Sequence, residues 1–500
     1  MIPVIRRLLL ASSPGHSNTC TSSMCTVHSF KMFGNKQCPD LLTPRPNQDS
    51  TRRGYHSETL FIAPPMNDQG QEGDVNRHAH PRLTTVDLVN IFASEIGQAR
   101  EYTPSGAAET RRERQRLMEY LPQSVDELPA RRMADSFVTA VIPLKDQWDI
   151  RERYVTLEGN VRIGRVLEDM DIFSVYCTFR HIQNPRSAGK KNPYSVVTAL
   201  VDSIHVANGK MRNDEDIRLS GHVTYAGRSS IETSLVVDQK DETGEYQKVF
   251  DAVFLMVARD PMNTGGALVN TLIGDTDEEK RFLRLGIERQ AVRKAQELDS
   301  LSRKPPTEEE RHLIHTMFIQ QLEGGGEGQA LAGGSFGLGK GIPTRGGEIR
   351  MDATGLKTVF ICHPQYRNRY NKIFGGFIMR QACELAFTNT FLYSKHRPRL
   401  VNIDDIIFRR PVDIGSILRY TSHVGYVEKN YIHCPVRAEV INPASGECKL
   451  TNVFQFTFRV DDAPADVPPL IFNTYREAMV FLESRRHFKK MMNQFFPAST

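Results

Sequence analysis

The sequence predicts an α+β fold made of two similar halves, each a helix gripped by an antiparallel sheet, and three observations carry that expectation. The stretch 363–387 reads as a polar loop, a double glycine and a helix. Gly375 and Gly376 open that helix, and Ile378, Met379, Ala382, Leu385 and Ala386 follow on one apolar face. Strand signals come next: 400–420 reads as a strand pair around the turn Pro411-Val-Asp-Ile-Gly415, and Phe454, Phe456, Phe458 and Val460 alternate as in a half-buried strand. The same order then recurs earlier in the chain.

The recurrence is metrical. Gly164 to Asp202 is 38 positions and Gly376 to Asp404 is 28; Asp202 to Arg228 is 26 and Asp404 to Lys429 is 25; Arg228 to Arg259 is 31 and Lys429 to Arg459 is 30. Only the first interval differs by more than one residue, through a ten-residue insertion around Ala188 and the run Gly189-Lys190-Lys191. One such unit leaves a sheet edge and a helix start exposed, so two are expected to pair.

Five hundred residues bound the chain at a few domains. Hydrophobic content of 39% and charged content of 25% are ordinary for a globular chain. No run of 18 apolar residues suggests a membrane span. The net charge of +5 sits largely in residues 1–60, where Arg6, Arg7, Lys31, Lys36, Arg45, Arg52 and Arg53 face only Asp40, Asp49 and Glu58. The near-neutral remainder argues against a nucleic-acid partner. Residues 1–39 hold no Asp or Glu, are rich in Ser and Thr, and place Arg6-Arg7 inside an apolar start, which fits a mitochondrial transit peptide. Of eight cysteines, three lie in that leader, and the other five form no C-x-x-C pair, so neither a zinc site nor a disulfide framework is indicated.

Residues 40–130 read as a linker followed by helices near 83–100 and 108–120. A first folded unit spans 131–265. It has a strand at 136–144, a glycine turn and helix at 160–177, a strand within 194–206, a hairpin at 217–237 turning through 225–230, and a buried strand at 250–259. A connecting segment, 266–345, carries two capping boxes, Thr276-x-x-Glu279 and Thr307-x-x-Glu310. The helix after the first is expected to bury Phe282, Leu285, Val292 and Ala295. A glycine-rich linker follows at 324–341. The second unit spans 346–495 and ends in a helix near 475–493. Gly334-x-x-x-x-Gly339-Lys340 is no P-loop, because Gly341 stands where Ser or Thr is required and no apolar strand precedes it. His312-x-x-His315 has no third metal ligand in view.

Two motifs now carry a resemblance: R-N-x-x-x-x-I-F-G-G-F-I-M-R-x-A-x-E-L-A at 367–386, and V-x-x-D-D-I-x-F-x-x-P-V-x-x-G-S at 401–416. Together they closely resemble the double-hotdog acyl-coenzyme A thioesterases, nearest the mitochondrial acyl-coenzyme A thioesterase 9 group, over roughly residues 130–490. The resemblance implies two tandem hotdog domains in a pseudo-dimer. It implies hydrolysis of acyl-CoA to fatty acid and coenzyme A with no further cofactor, a mitochondrial location in the matrix or at the inner membrane, and a homo-oligomer, a trimer of double-hotdog chains. It also implies that each site takes an Asn from one half and an acid from the other, the acid lying seven positions after the second glycine. In the first half that position is Asp171; in the second it is Cys383, with Glu384 one place on. Eight positions before the second glycine stand Asn368 and Thr156. One complete pairing is therefore expected, Asp171 with Asn368 and the Gly375–Gly376 turn, while Thr156 with Cys383 is degenerate.

In this reading Asp171 is general base or nucleophile, Asn368 orients water or thioester, and the Gly376 N–H is the oxyanion donor. An acid in the run Glu168-Asp169-Met170-Asp171 is also what a solvated helix face shows. Glu384 is the competing acid, or else a partner of Arg380. For the coenzyme A phosphates the candidates are the equivalent hairpins Arg228-Ser229-Ser230 and Lys429-Asn430, and Arg409 with Arg410. Two other readings stand beside hydrolysis. A hydratase would want a His–Asp pair that is not found, and a non-catalytic acyl-CoA binder would lack the Asp171–Asn368 pairing.

Overall fold

The architecture was obtained as a computed structural model, which describes residues 83–94, 107–202, 204–206, 211–298, 301, 304–324, 347–368, 370–461 and 467–495. The leader, the linker to residue 80 and the glycine-rich stretch from 325, with its Gly334–Lys340 pattern, lie outside them.

Three helices, α1 (Thr85–Ser94), α2 (Ala107–Leu117) and α3 (Trp148–Tyr154), precede the first central helix, α4 (Ile163–His181). The first half supplies strands β1 (Val138–Ile142), β2 (Ser195–Val201), β3 (Ile217–Ala226), β4 (Ser230–Lys240) and β5 (Tyr246–Arg259). Helices α5 (Asp277–Leu298) and α6 (Glu308–Gly324) connect to the second half. There β6 (Leu356–Ile361) precedes the second central helix, α7 (Gly375–Ser394). Strands β7 (Pro398–Ile403), β8 (Ile406–Phe408), β9 (Ile417–Ser422), β10 (Tyr431–Ile441) and β11 (Cys448–Val460) follow, and α8 (Tyr475–Phe495) closes the chain.

One antiparallel path runs β6-β9-β10-β11-β8-β2-β5-β4-β3-β1, so the two half-sheets are continuous. Their seam is reciprocal. Ile406 and Ile407 of β8 face Val201 and Leu200 of β2, while Ile403 and Asn402 of β7 face Ile204 and His205. The expectation of a strand pair around 411–415 is corrected here. β8 lies between β11 and β2, and β9 lies between β6 and β10, so the two segments flanking that turn do not pair with each other. Pairing across the halves outcompetes the local hairpin.

Both central helices are buried on most sides, as a helix must be when a sheet wraps it and a second helix faces it. Phe173 of α4 and Ile378 and Met379 of α7 share one core with Phe254, Tyr420, Phe454 and Phe456 of the sheet. A second cluster holds Ile314 of α6 and Leu482 and Phe488 of α8 against Ile432 and Phe472.

The capping boxes form as read: the Thr276 and Thr307 hydroxyls accept from the Glu279 and Glu310 N–H groups at 3.1 and 3.3 Å. The face expected of α5 forms at Phe282, which is buried in the core, but not at Val292. Val292 is 44% exposed, and α5 instead turns Arg289 and Arg293 onto the buried Glu232 and, from Arg293 at 3.0 Å, Asp202. α8 serves Asp404 in the same way through His487 and Lys490, the latter at 2.8 Å. Each half thus docks its trailing helix on the carboxylate at its seam.

Candidate active site

The site begins where α4 and α7 touch. The backbone of Glu168 lies so near Gly376 that a Cβ there would come within 2.8 Å of the Glu168 Cα and carbonyl and 2.9 Å of Asp171 Cβ. The reciprocal contact sets Gly164 against Arg380, whose Cγ would be 3.3 Å from an added Cβ. Both partners stand four positions after their own second glycine, and Arg380 pairs with Glu168 at 2.9 Å between the helices. Arg380 is therefore not the partner of Glu384.

Close approach of the helices delivers Asp171, 1% exposed, to the start of α7. Gly376 donates its N–H to Asp171 Oδ2 at 2.7 Å. Thr198, from β2, donates its hydroxyl to Oδ1 at 2.6 Å. A Cβ on Gly375 would lie 3.3 Å from Oδ1 and 3.1 Å from the Phe408 ring, so Phe408 walls the same turn. Burial pushes the Asp171 carboxyl up to about 6, against the two hydrogen bonds that favour its charge, with Glu168 adding repulsion. Such a group is mostly ionised at neutral pH yet basic enough to take a proton. Two residues away, burial raises Asp169 to about 7 beside the Tyr154 hydroxyl.

The expected role of Gly376 changes. Its N–H is spent on Asp171, so the donor left at the helix start is the Gly375 N–H, which makes no hydrogen bond among the described residues. The positive end of the α7 dipole adds to it.

Asn368 sits in a loop closed by the Arg367–Ile373 bridge. Its Oδ1 accepts from the N–H groups of Tyr370 and Lys372 at 2.9 and 3.1 Å, so the amide is oriented by its own loop and Nδ2 remains as a donor. Tyr370 then pins the loop to the first half by donating its hydroxyl to the Tyr194 carbonyl at 2.6 Å, just before β2. The matching loop in the first half is bridged at Val155–Val161, with Thr156 Oγ1 accepting from the Asn160 N–H at 3.1 Å. Thr156 thus occupies the place of Asn368.

The second pairing lacks its acid. Cys383 is buried, and burial pushes its thiol up to about 12. In β7 the register position matching Thr198 is Leu400: Thr198 faces Met256 in β5, and Leu400 faces Phe458 in β11. Acid and hydroxyl have both given way to apolar groups. Glu384 does not replace them. Its side chain is 38% exposed and ion-paired with Arg162, away from the Asp171 turn.

The phosphate candidates divide. The 228–230 and 429–430 hairpins occupy equivalent places: Ser229 accepts from the Ala258 N–H at 2.8 Å, and Asn430 from the Val460 N–H at 2.9 Å. Gly227 donates its N–H to the Ser230 carbonyl at 2.8 Å. No contact among the described residues joins either hairpin to Asp171. Arg409 and Arg410 follow Phe408 directly and line an open groove of about 730 Å³ with Glu447, Cys448, Lys449 and Leu450. No group of metal-ligating side chains occurs among the described residues, and His312 and His315 are exposed on α6.

Sequence reading missed Thr198 and Phe408. A lone Thr in the run Val196-Val197-Thr198-Ala199-Leu200 was a usable signal, since a hydroxyl entering a buried strand needs a partner. Phe408 stands in the 401–416 motif, but its role as a wall of the Gly375 turn depends on packing across elements.

No family model matches the chain. Mitochondrial acyl-coenzyme A thioesterase 9 of Mus musculus and that of Homo sapiens are each 38% identical over 379 residues, covering 76% of this chain and 83% of theirs. Among solved structures, an acyl-CoA hydrolase from Staphylococcus aureus aligns with a TM-score of 0.27 at 20% identity, over 29% of this chain and 92% of that one. At 38% identity over most of both lengths, the chain belongs to the mitochondrial acyl-coenzyme A thioesterase 9 family.

Proposed function

We propose that the chain hydrolyses acyl-CoA thioesters at one site per chain, built by Asp171, Asn368 and the Gly375 turn. The observation that carries this reading is the Asp171 carboxylate held by Gly376 and Thr198 at the start of α7, with an open N–H beside it. The thioester oxygen points at the Gly375 N–H and the α7 dipole, where negative charge develops in the tetrahedral intermediate. Asn368 Nδ2 steadies the water or the carbonyl. Asp171 takes a proton from water as its oxygen bonds to the acyl carbon. The carbon–sulfur bond then breaks, and the proton passes to the coenzyme A thiolate. The balance needs only water, so no cofactor enters.

The curated relatives named above are mitochondrial, which supports the same compartment here, in the matrix or at the inner membrane; no described helix is long and apolar enough to cross a membrane. A trimer of double-hotdog chains is the assembly we expect, to be read by light scattering.

The test is free-thiol release from acyl-CoAs of increasing chain length, wild type beside Asp171→Ala. Release that collapses in the variant supports the reading. Release that survives removes Asp171 from the chemistry. Binding without release at every chain length would make the protein an acyl-CoA binder.

A further inference from the structure

The length that the first half has beyond the second lies between α4 and β2. Thirteen residues, 182–194, make that link, where three, 395–397, join α7 to β7. The added segment reaches out to α2 and the chain that follows it. Asn184 donates its Nδ2 to the Tyr120 carbonyl at 2.8 Å. Arg186 donates to Glu127 Oε2 at 3.0 Å and to the Glu119 carbonyl at 3.3 Å. The Lys190 ammonium lies 4.1 Å from the centre of the Tyr120 ring, and Lys191 pairs with Glu113 of α2. Each such contact is weak alone at an exposed site, but together on one segment they form a network.

Beyond the insertion, α2 reaches the Asn368 loop. The Arg114 guanidinium lies 4.9 Å over the centre of the Tyr370 ring, an attractive arrangement for a cation and an aromatic face. Tyr370, 6% exposed, donates its N–H to Asn368 Oδ1 at 2.9 Å and its hydroxyl to the Tyr194 carbonyl at 2.6 Å. Tyr194 is the last residue of the insertion-bearing link. That link therefore meets the loop twice, directly through Tyr194 and at one remove through α2 and Arg114.

The matching loop in the first half has no such cover. Glu158 stands there in the place of Tyr370 and pairs with Arg397, ahead of β7. Leu157 beside it is 99% exposed, so no helix lies over that loop. The covered loop belongs to the pairing that keeps its acid.

We propose that the 182–194 link and α2 form a strap that fixes the Asn368 loop, with Arg114 as a positioning residue for the Asn368 amide. The inference rests on the thioesterase reading and on Asn368 within it. Arg114 acts through Tyr370: it holds the ring, the ring holds the loop, and the loop sets the direction of Asn368 Nδ2. Misdirecting a group that orients the reacting atoms lowers rate more than affinity.

The experiment measures kcat and KM for one acyl-CoA on the full chain, beside hydrogen exchange at the Tyr370 and Lys372 amides, which donate to Asn368. Arg114→Ala lowers kcat about three- to tenfold with KM kept within about twofold. It speeds exchange at those two amides and leaves α4, the sheet and Tm unchanged. Arg114→Lys, which keeps a cation over the ring, recovers most of the rate. Lys190→Ala/Lys191→Ala, at the far end of the strap, speeds exchange in the same loop with a smaller fall in kcat.

Unchanged exchange or unchanged kcat in Arg114→Ala overturns the proposal. Faster exchange spread through the first half with a lowered Tm also overturns it, since Arg114 is then a residue of stability alone. Exchange in the loop that ignores Lys190→Ala/Lys191→Ala removes the insertion from the strap. Wild-type turnover by Asn368→Ala strikes the role of Asn368 in the site, while exchange in the loop still decides whether the strap holds it.

Discussion

Asp171 on α4 accepts the backbone N–H of Gly376 on α7 at 2.7 Å, from 205 residues away in the chain. The bond makes the site a property of both halves at once. The first half supplies the acid and, through Thr198, its second hydrogen bond. The second half supplies the helix start and the Asn368 loop. Equivalent positions in the other pairing, Cys383 and Leu400, carry neither acid nor hydroxyl.

Asp171→Asn separates stability from turnover. Burial raises the folded carboxyl from an ordinary 3.8 to about 6, so the native state prefers the protonated acid. Ionisation therefore works against folding fully above about pH 6, and the penalty is gone below 3.8. Asn keeps both bonds, its oxygen accepting from Gly376 and its nitrogen donating to Thr198. At pH 7 we expect a Tm no lower than wild type, with a gain of up to about 3 kcal/mol and kcat down about 10²–10⁴-fold. Thermal melts beside thiol release decide it; retained turnover removes Asp171 from the chemistry.

Acidification lowers kcat/KM as pH falls through about 6, where Asp171 takes its proton. The Thr198 hydroxyl favours the charged form, so Thr198→Val moves that limb upward by about one to two pH units. Asp169, raised to about 7 beside Tyr154, has no bond to Thr198. A limb that stays in place in the variant would assign the profile to another group.

The two helix contacts differ in tolerance. In Gly376→Ala the new methyl meets the Glu168 backbone at 2.8 Å, which cannot yield without parting the helices. We expect a loss of about 1–3 kcal/mol together with most of the turnover. In Gly164→Ala the nearest atom is Arg380 Cγ at 3.3 Å, part of a flexible chain. Ala also favours the helix by about 0.5–1 kcal/mol, so this variant is close to neutral. Denaturant unfolding of both measures the asymmetry.

Cys383→Ala probes the second pairing. Loss of a small buried group costs about 1 kcal/mol and changes kcat less than about twofold, because no acid acts there. A large fall in kcat with the fold intact would mean that the second pairing also turns over.

Legibility followed the range of the interaction. The glycine turns, central helices and capping boxes are local patterns, and each was readable from spacing. The Thr156–Asn368 equivalence was readable as well, because a loop that closes on itself carries its hydrogen bonds in its own sequence. The 411–415 turn misled, because its flanking strands bond to β2 and β10 in preference to each other. Glu384 misled because Arg162, its partner, lies 222 residues away. Val292 misled because the inner face of α5 meets buried carboxylates, where Arg289 and Arg293 are the complement.

By itself the sequence determined two repeated helix-and-sheet units, an acid kept in one and an Asn kept in the other. Local periodicity and turn chemistry suffice for that. Only the tertiary structure decided which atoms meet. The close packing of α4 on α7 spends the Gly376 N–H on Asp171 and leaves that of Gly375, and the wrapping of the sheet brings Thr198 and Phe408 to the same turn. Those contacts join residues far apart in the chain, and their geometry is set by how whole elements pack, which no local pattern records.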